Sequence, residues 1–328
     1  MKTAKYVTAL LLCFQGLAAF GWNLPGHMAV TGLAYDELTA AQQKKLAKLI
    51  RKHPGFNLIQ QGFADDDIDD REVVMAAATW PDLAKFDTKH YHHNGYEETD
   101  PAITSVTFST NMHKGWHFVD TPLWVDDSPA SALPDVPRVN ATNLVTVLMA
   151  QLKSNESDEA KAYDLGWLLH LVGDIHQPLH CITGVTPTFP KGDRGGNSVK
   201  LRGEFHDGIG DLHAFWDDVL GETAHMVNGH PRLDQDIMTA DEISDAAHKI
   251  KLPAYAEKLE PPVWAKESFN MAKRDVYSLP CEEFMQADGD KELRMTLTKE
   301  YHKTAVADTK RRIRIAGHRL ALLLKQIL

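Results

Sequence analysis

Cysteine is scarce in this chain of 328 residues: there are three, and Cys13 lies in the opening segment. The other two, Cys181 and Cys281, allow at most one disulfide. Long apolar runs are missing as well. Beyond position 21 they are short or broken by charge, which excludes a membrane-spanning helix. Basic residues are outnumbered, with 35 Lys and Arg against 45 Asp and Glu, for a formal charge of −10. Such a surface is a poor electrostatic clamp for nucleic acid. It leaves open a cleft that handles a few nucleotides, or one whose sign is reversed by divalent cations. There is no internal repeat and no low-complexity tract, and β signal is thin.

What is present begins with a leader. Lys2 and Lys5 form a basic head, Val7–Phe20 is a short, mostly apolar run, and Ala19-Phe20-Gly21 puts small residues where a signal peptidase checks. Residues 1–21 therefore read as a secretory signal, and the mature chain as secreted or periplasmic. Cleavage before Trp22 leaves 307 residues, enough for a sizeable core, at a charge near −12. Export favours a Cys181–Cys281 bridge over two separate buried thiols. Cleavage also frees the amine of Trp22, five residues ahead of His27. A free α-amino group has a pKa near about 8, so a metal can displace its proton. Amine, carbonyl and His27 then form a candidate chelate. Alone, this segment is better read as a plain mature terminus; the rest of the chain reverses that preference.

Most segments read as helix. Thr39-Ala-Ala-Gln42 is a capping-box start for a helix to Lys52. Glu72–Thr79 is a short helix ending at Trp80-Pro81. Asn140–Lys153 is apolar at helical spacing, and Lys299–Leu328 is a long final helix. Ala160–Val172 is apolar nearly all round, the mark of a buried central helix. One small hairpin is expected from Ser198–Leu201 and Glu204-Phe205 around Gly203. The acidic run Asp65–Asp70 reads as a solvated turn, since it lacks the glycine and closing glutamate of an EF-hand. Phe86–Gly115 reads as a long loop. Its His90, His92, His93 and His113 are better explained as scattered solvated histidines than as a metal site.

The strongest local signal is Gly166-Trp-Leu-Leu-His170-Leu-Val-Gly-Asp174-Ile-His176-Gln-Pro178-Leu-His180. His170 and Asp174 are four apart and share a helix face. In an apolar helix that pair must be buried or floor a cleft, and a buried carboxylate costs several kcal/mol unless paired or bound to metal. Pro178 stops the helix and turns His180 back toward the same cleft. His213 and Asp217 repeat the spacing beside Phe215 and Trp216. Asp82 follows Thr79-Trp80-Pro81, and His117 sits between Trp116 and Phe118. Imidazoles and carboxylates without thiolates suit zinc. Eight such side chains and a terminus exceed one tetrahedral ion and would fill a site of two or three metals, an arrangement suited to phosphate-ester cleavage.

The order of these motifs resembles the trinuclear-zinc, single-strand-specific nuclease family known as plant and fungal nuclease I, relatives of the zinc phospholipases C. The matching pieces are Trp22 with Gly26-His27, Thr79-Trp80-Pro81-Asp82, and His117-Phe118-Val119-Asp120. Leu169-His170 with Gly173–His180, Gly195-Gly196-Asn197, and Leu212-His213 with Trp216-Asp217 follow. Trp264–Ser268 and Gly317–Ala321 also look like the family. The resemblance spans nearly all of 22–328 and implies an all-α fold: a single, mainly helical domain around a buried central helix.

It also implies three Zn2+ ions. Asp82, His117, His170 and Asp174 would hold the first; His180, His213 and Asp217 the second; Trp22, His27 and a shared Asp174 the third. Hydroxide bridging the first and third ions would attack phosphorus, with the second at the departing 3′ oxygen. Phe118 would stack on a base, Asp120 would bond its edge and Asn197 would line the pocket. Single-stranded RNA, single-stranded DNA and 3′-nucleotides are the implied substrates, giving 5′-phosphorylated products, and a monomer is expected.

Three departures stand out. Lys85 replaces an arginine expected three residues after Asp82, giving a point charge instead of a planar fork. Asp211 replaces an asparagine, and the Asp82–His117 interval is long. Two cysteines fit a bacterial member better than a plant one. A zinc phospholipase C is the alternative enzyme, but its pattern has glutamate at the last ligand position, and Phe118 with Asp120 suits a base better than choline. A zinc carrier without turnover is the alternative outside enzymes; it is disfavoured because the set leaves open coordination positions.

Overall fold

The computed structural model describes residues 22–64, 67–92, 105–125, 132–206, 208–221, 225–227, 230–286 and 291–328. The expected leader (residues 1–21), Asp65, Asp66 and His93 lie outside them. Eleven α-helices are present among the described residues: α1 (Leu24–Asp36), α2 (Ala40–Ile50), α3 (Phe56–Gln60), α4 (Asp70–Ala77), α5 (Trp80–Leu83), α6 (Ala141–Leu152), α7 (Asp158–His176), α8 (Leu212–Asp218), α9 (Leu233–His248), α10 (Pro261–Asp275) and α11 (Lys299–Ile327). The mainly helical expectation holds. No helix among the described residues is long and apolar enough to cross a membrane.

The start signal read at Thr39 acts as expected, and two further caps accompany it. The Thr39 hydroxyl accepts from the Gln42 amide while the Gln42 side chain accepts from Thr39 N, so α2 opens on a capping box. Asp69 and Glu72 make the same exchange at α4, giving the described end of the acidic run a capping role. Ser157 caps α7, with Asp158 and Glu159 favourably placed in its first turn.

α7 is the central helix. It is buried without interruption from Ala162 to His176 and packs against α1, α2, α5, α6, α10 and α11. α1 is buried from Leu24 to Tyr35, so it carries no two-sided pattern by which to recognise it. It lies against α9 and α11. Gly317 on α11 permits this approach: a Cβ there would stand 2.6 Å from Leu33 Cβ and 3.0 Å from the Val30 carbonyl.

Sheets are small. β1 (Thr121–Trp124) runs parallel to β2 (Ile182–Val185), and β4 (Met226–Val227) pairs antiparallel with β5 (His230–Pro231). β3 (Val199–Arg202) is a strand, but the hairpin expected around Gly203 is corrected. β3 pairs in parallel with β7 (Lys291–Thr296), which is antiparallel to β6 (Glu282–Met285). Gly203, at φ 98°, turns the chain away from β3. The partner comes from far along the chain, where local alternation carries no information.

The disulfide expectation is also corrected. Cys181 and Cys281 are free thiols. Cys181 is buried in the main core and donates to the Ile175 carbonyl at 3.3 Å, whereas Cys281 packs against a second core around β3, β7 and α8.

One buried polar network ties α7 to α10 and α11. Both Arg319 Nη atoms donate to Glu267, at 2.8 and 2.9 Å, and Nη1 also donates to His176 Nε2 at 2.9 Å. Burial, reinforced by Arg312 and Arg319, holds the His176 pKa well below its usual value, so the ring stays a neutral acceptor. Arg312 donates to the His176 carbonyl, Glu267 and Ser268. These contacts account for the Trp264–Ser268 and Gly317–Ala321 motifs as structural. Glu267→Ala would strand two buried guanidinium groups and is expected to cost about 3 kcal/mol or more, read from urea denaturation.

Candidate metal centre

The face of α7 carrying His170 and Asp174 floors a buried cluster that five other segments complete. Gln177 and Pro178 end the helix, and the 3-10 turn Pro178–Cys181 brings His180 back over it. α1 supplies His27, α5 supplies Asp82, the 3-10 turn Lys114–His117 supplies His117, and α8 supplies His213 and Asp217. Gly173 makes room: a Cβ there would lie 2.6 Å from His27 Nδ1 and 3.6 Å from the Trp22 ring. Trp22 is fully buried beside these residues, and the next amide, Asn23 N, donates to the Asp217 carbonyl at 3.3 Å.

The side chains gather into three groups: His27, His170 and Asp174; Asp82, His117 and His170; His180, His213 and Asp217. Within each, one donor atom per residue lies within 4.8 Å of the others, and every member is buried. All the side-chain ligand candidates from the sequence are therefore together. His90, His92 and His113 join none of the groups. His90 pairs with Asp87, His92 bridges to Asn111, and His113 stacks on Trp116 at 3.8 Å.

Hydrogen bonding shows what the cavity is built to receive. His170, His180 and His213 donate from Nδ1 to the carbonyls of Ala78, His117 and Gly195, at 2.8, 2.8 and 2.7 Å. Each bond fixes the tautomer and leaves the Nε2 lone pair for a ligand role. Among the side chains of the three groups, five buried atoms have no hydrogen-bond partner: both ring nitrogens of His27, Asp82 Oδ2, His117 Nε2 and Asp174 Oδ1. Buried polar atoms are rarely left so. His27 and His170 stack at 3.9 Å, and His170 Nε2 lies 2.9 Å from His117 Nδ1.

Charge tells the same story. Burial, then His170, lowers the His27 pKa to about 4; burial, then Lys85, lowers that of His117 to about 3. Both rings are thus neutral lone-pair donors at neutral pH. Burial opposes ionisation of Asp82, yet Lys85 and the imidazoles outweigh it and bring the carboxyl to about 2. Asp174 is likewise held well below its usual range against burial, chiefly by His170 and His180. Asp217 goes the other way: burial pushes it well up, against the 2.6 Å bond donated by Gln177. A nearby cation would reverse that sign. His170 goes up against burial, drawn by Asp174 and Asp82; orphaned lone pairs, the neutral His27 and His117 rings and carboxylates together fit divalent ions.

Beside the third group lies a second feature. The Phe118 ring sits 4.6 Å from that of His180 and 6.2 Å from that of His213. Phe118, Asp120 and Asn197 line one cavity of about 940 Å³. Lys85 Nζ stands 2.6 Å from Asp82 Oδ1. Asp211 caps α8, accepting from Ala214 N at 3.0 Å, a task asparagine performs equally well.

Two supporting residues escaped the sequence reading. Gln177 donates to Asp217 and accepts from Leu179 N. Asp193 is fully buried and accepts from the amides of Gly184 and Gly196 and from the Tyr277 hydroxyl, organising the Gly195-Gly196-Asn197 turn. An aspartate just ahead of paired glycines was the available signal.

The fold and site define a mainly helical protein with buried His/Asp groups able to hold metal ions. Residues 22–328 match the family model described as S1/P1 Nuclease. The chain is similar to three proteins of Arabidopsis thaliana. Endonuclease 1 is 30% identical over 97% of this chain and 90% of its own length. Endonuclease 5 is 24% identical over 98% and 95%. Endonuclease 4 is 27% identical over 63% of this chain and 57% of its own length. The chain belongs to the S1/P1 nuclease family.

Zinc added to chelator-stripped protein is expected to raise its melting temperature by roughly 4 °C per filled site at a hundredfold excess over Kd. Asp174→Asn should forfeit more of this gain than Asp217→Asn, because Asp174 stands 3.0–3.5 Å from His27, His117, His170 and His180. Equal losses in differential scanning fluorimetry would contradict that ranking.

Proposed function

We propose that this protein is a zinc-dependent endonuclease and 3′-nucleotidase that hydrolyses single-stranded RNA and DNA to 5′-phosphorylated products. The observation that carries the reading is one cavity system. Three His/Asp groups with orphaned lone pairs adjoin a pocket walled by an aromatic ring and a carboxylate. Family membership and the endonuclease relatives support it.

Three zinc ions are the proposed complement. Asp82, His117, His170 and Asp174 would hold one, His180, His213 and Asp217 another, and Trp22, His27 and Asp174 the last. When bound, closely spaced divalent ions supply a nucleophile at neutral pH and stabilise charge on the attacking and leaving oxygens.

The chain's own residues do the rest. The Phe118 face receives a base by stacking, which any base satisfies but only an unpaired strand offers. Asp120 accepts from the base edge, and Asn197 closes the pocket. Lys85 brings one positive charge to the phosphate from its place on Asp82. The carbonyl-bonded imidazoles hold their orientation through the reaction. Residues 1–21 are proposed to direct the chain to a secreted or periplasmic location, where it acts as a monomer; their removal frees the Trp22 amine.

Single-stranded DNA should be cut much faster than duplex of the same sequence, which gel assays measure. Phe118→Ala should raise KM for single strands about tenfold with kcat little changed, as loss of base stacking predicts. A fall in kcat alone would instead place Phe118 among the groups that support the chemistry. Extra residues retained before Trp22 should sharply lower activity and zinc content, and unchanged turnover would refute a chelating terminus.

A further inference from the structure

The cavity that holds Phe118, Asp120 and Asn197 has a far wall which the function above leaves unused. That wall carries Arg138, Lys191 and Arg194. Three cations converge there in a chain whose formal charge is −10. All three are exposed, and no hydrogen bond or ion pair among the described residues engages their side chains. The wall's carboxylates are Asp120, already given to the base, and Asp135. Surface arginine and lysine usually find a carboxylate in an acidic protein; three left over in one concavity mark a place for an anion.

The three come from two separate segments of the chain that line the same cavity. Arg138 follows the Pro134–Pro137 stretch. Lys191 and Arg194 belong to the turn that Asp193 anchors, so its backbone is held from below. Arg194 sits at φ 59° and its carbonyl accepts from Asn197 Nδ2 at 2.7 Å, coupling it to the pocket. Positive charge also continues toward the reacting end. Lys114, half-buried at the head of the turn bearing His117, has its ammonium pKa lowered by burial first, then by Lys85 and Arg194. A positive track thus runs from Lys85, on Asp82, past Lys114 to Arg194 and the far wall.

A nucleotide stacked on Phe118 has two phosphate positions. One lies at the His/Asp groups; the other, across the sugar, faces away from them. We infer that Arg138, Lys191 and Arg194 form a second phosphate subsite, which takes the phosphate on the 5′ side of the stacked nucleotide and so favours oligonucleotides over 3′-mononucleotides. The inference rests on the reading that Phe118 and Asp120 receive the base. The subsite adds binding without contact to the reacting atoms, so it lowers KM and leaves kcat alone. It also reconciles an acidic surface with a polyanionic substrate: the attraction is confined to one groove.

The test compares adenosine 3′-phosphate with adenosine 3′,5′-bisphosphate, which differ only in the phosphate the subsite would hold. With the zinc-loaded mature protein, KM for release of the 3′-phosphate should be about tenfold lower for the bisphosphate, the size of one charge-assisted contact. Arg194→Gln, and Arg138→Gln with Lys191→Gln, should erase that difference while leaving adenosine 3′-phosphate kinetics and the melting temperature unchanged. On a short oligothymidylate the same variants should reduce the salt dependence of log KM by about 0.7 per lost phosphate contact. Equal KM values for the two nucleotides in the native protein would overturn the subsite, as would variants that weaken both alike. If neither nucleotide is turned over, the proposed activity fails, and calorimetric binding of the same pair still decides the subsite.

Discussion

Carboxylates and imidazoles buried together in an apolar helical core demand a compensating cation. Asp82, Asp174, His27, His117, His170, His180 and His213 are all within 1% of complete burial. Protein hydrogen bonds satisfy one side of the ring for His170, His180 and His213 and leave lone pairs facing inward. Without a cation the set is a stack of desolvated acceptors, each costing free energy. With divalent ions the same atoms become ligands. The rest of the architecture serves to bring these groups to one place.

That convergence is a long-range achievement. α7 supplies a straight, fully buried floor, and residues from the first helix to α8 close over it. Small residues set the distances: Gly173 admits His27 and Trp22, and Gly317 lets α1 settle on α11. The Arg312–Arg319–Glu267–His176 network locks the end of α7 just before the turn that carries His180. The metal-ligating face therefore sits on rigid elements. The cavity lined by Phe118 and Asn197 is walled instead by turns, including two left-handed residues, Asp120 and Arg194. A rigid His/Asp cluster beside a loop-built wall lets the wall vary without disturbing the cluster.

Much of this was legible in the sequence, for identifiable reasons. The i,i+4 spacing of His170–Asp174 and His213–Asp217 maps directly to one helix face, and Pro178 forces a turn, so these ligands could be placed by local rules. The capping box marked α2 in the same way, and the all-round apolar run marked α7. α1 was not recognisable, because burial on every side removes periodicity. The partner of β3 lies some ninety residues on, beyond any local pattern. The cysteines were misjudged because compartment constrains bridging, whereas geometry decides it, and the two thiols belong to different cores. Gln177 and Asp193 were passed over because a supporting residue is defined by what it touches, which spacing alone does not reveal.

The most direct test of a cleft built around several cations is the zinc content of protein prepared to begin at Trp22. Elemental analysis after dialysis should give three ions per chain, and the same preparation should cleave single-stranded DNA. Protein that is folded and free of zinc, with its melting temperature unmoved by chelator, would contradict the account.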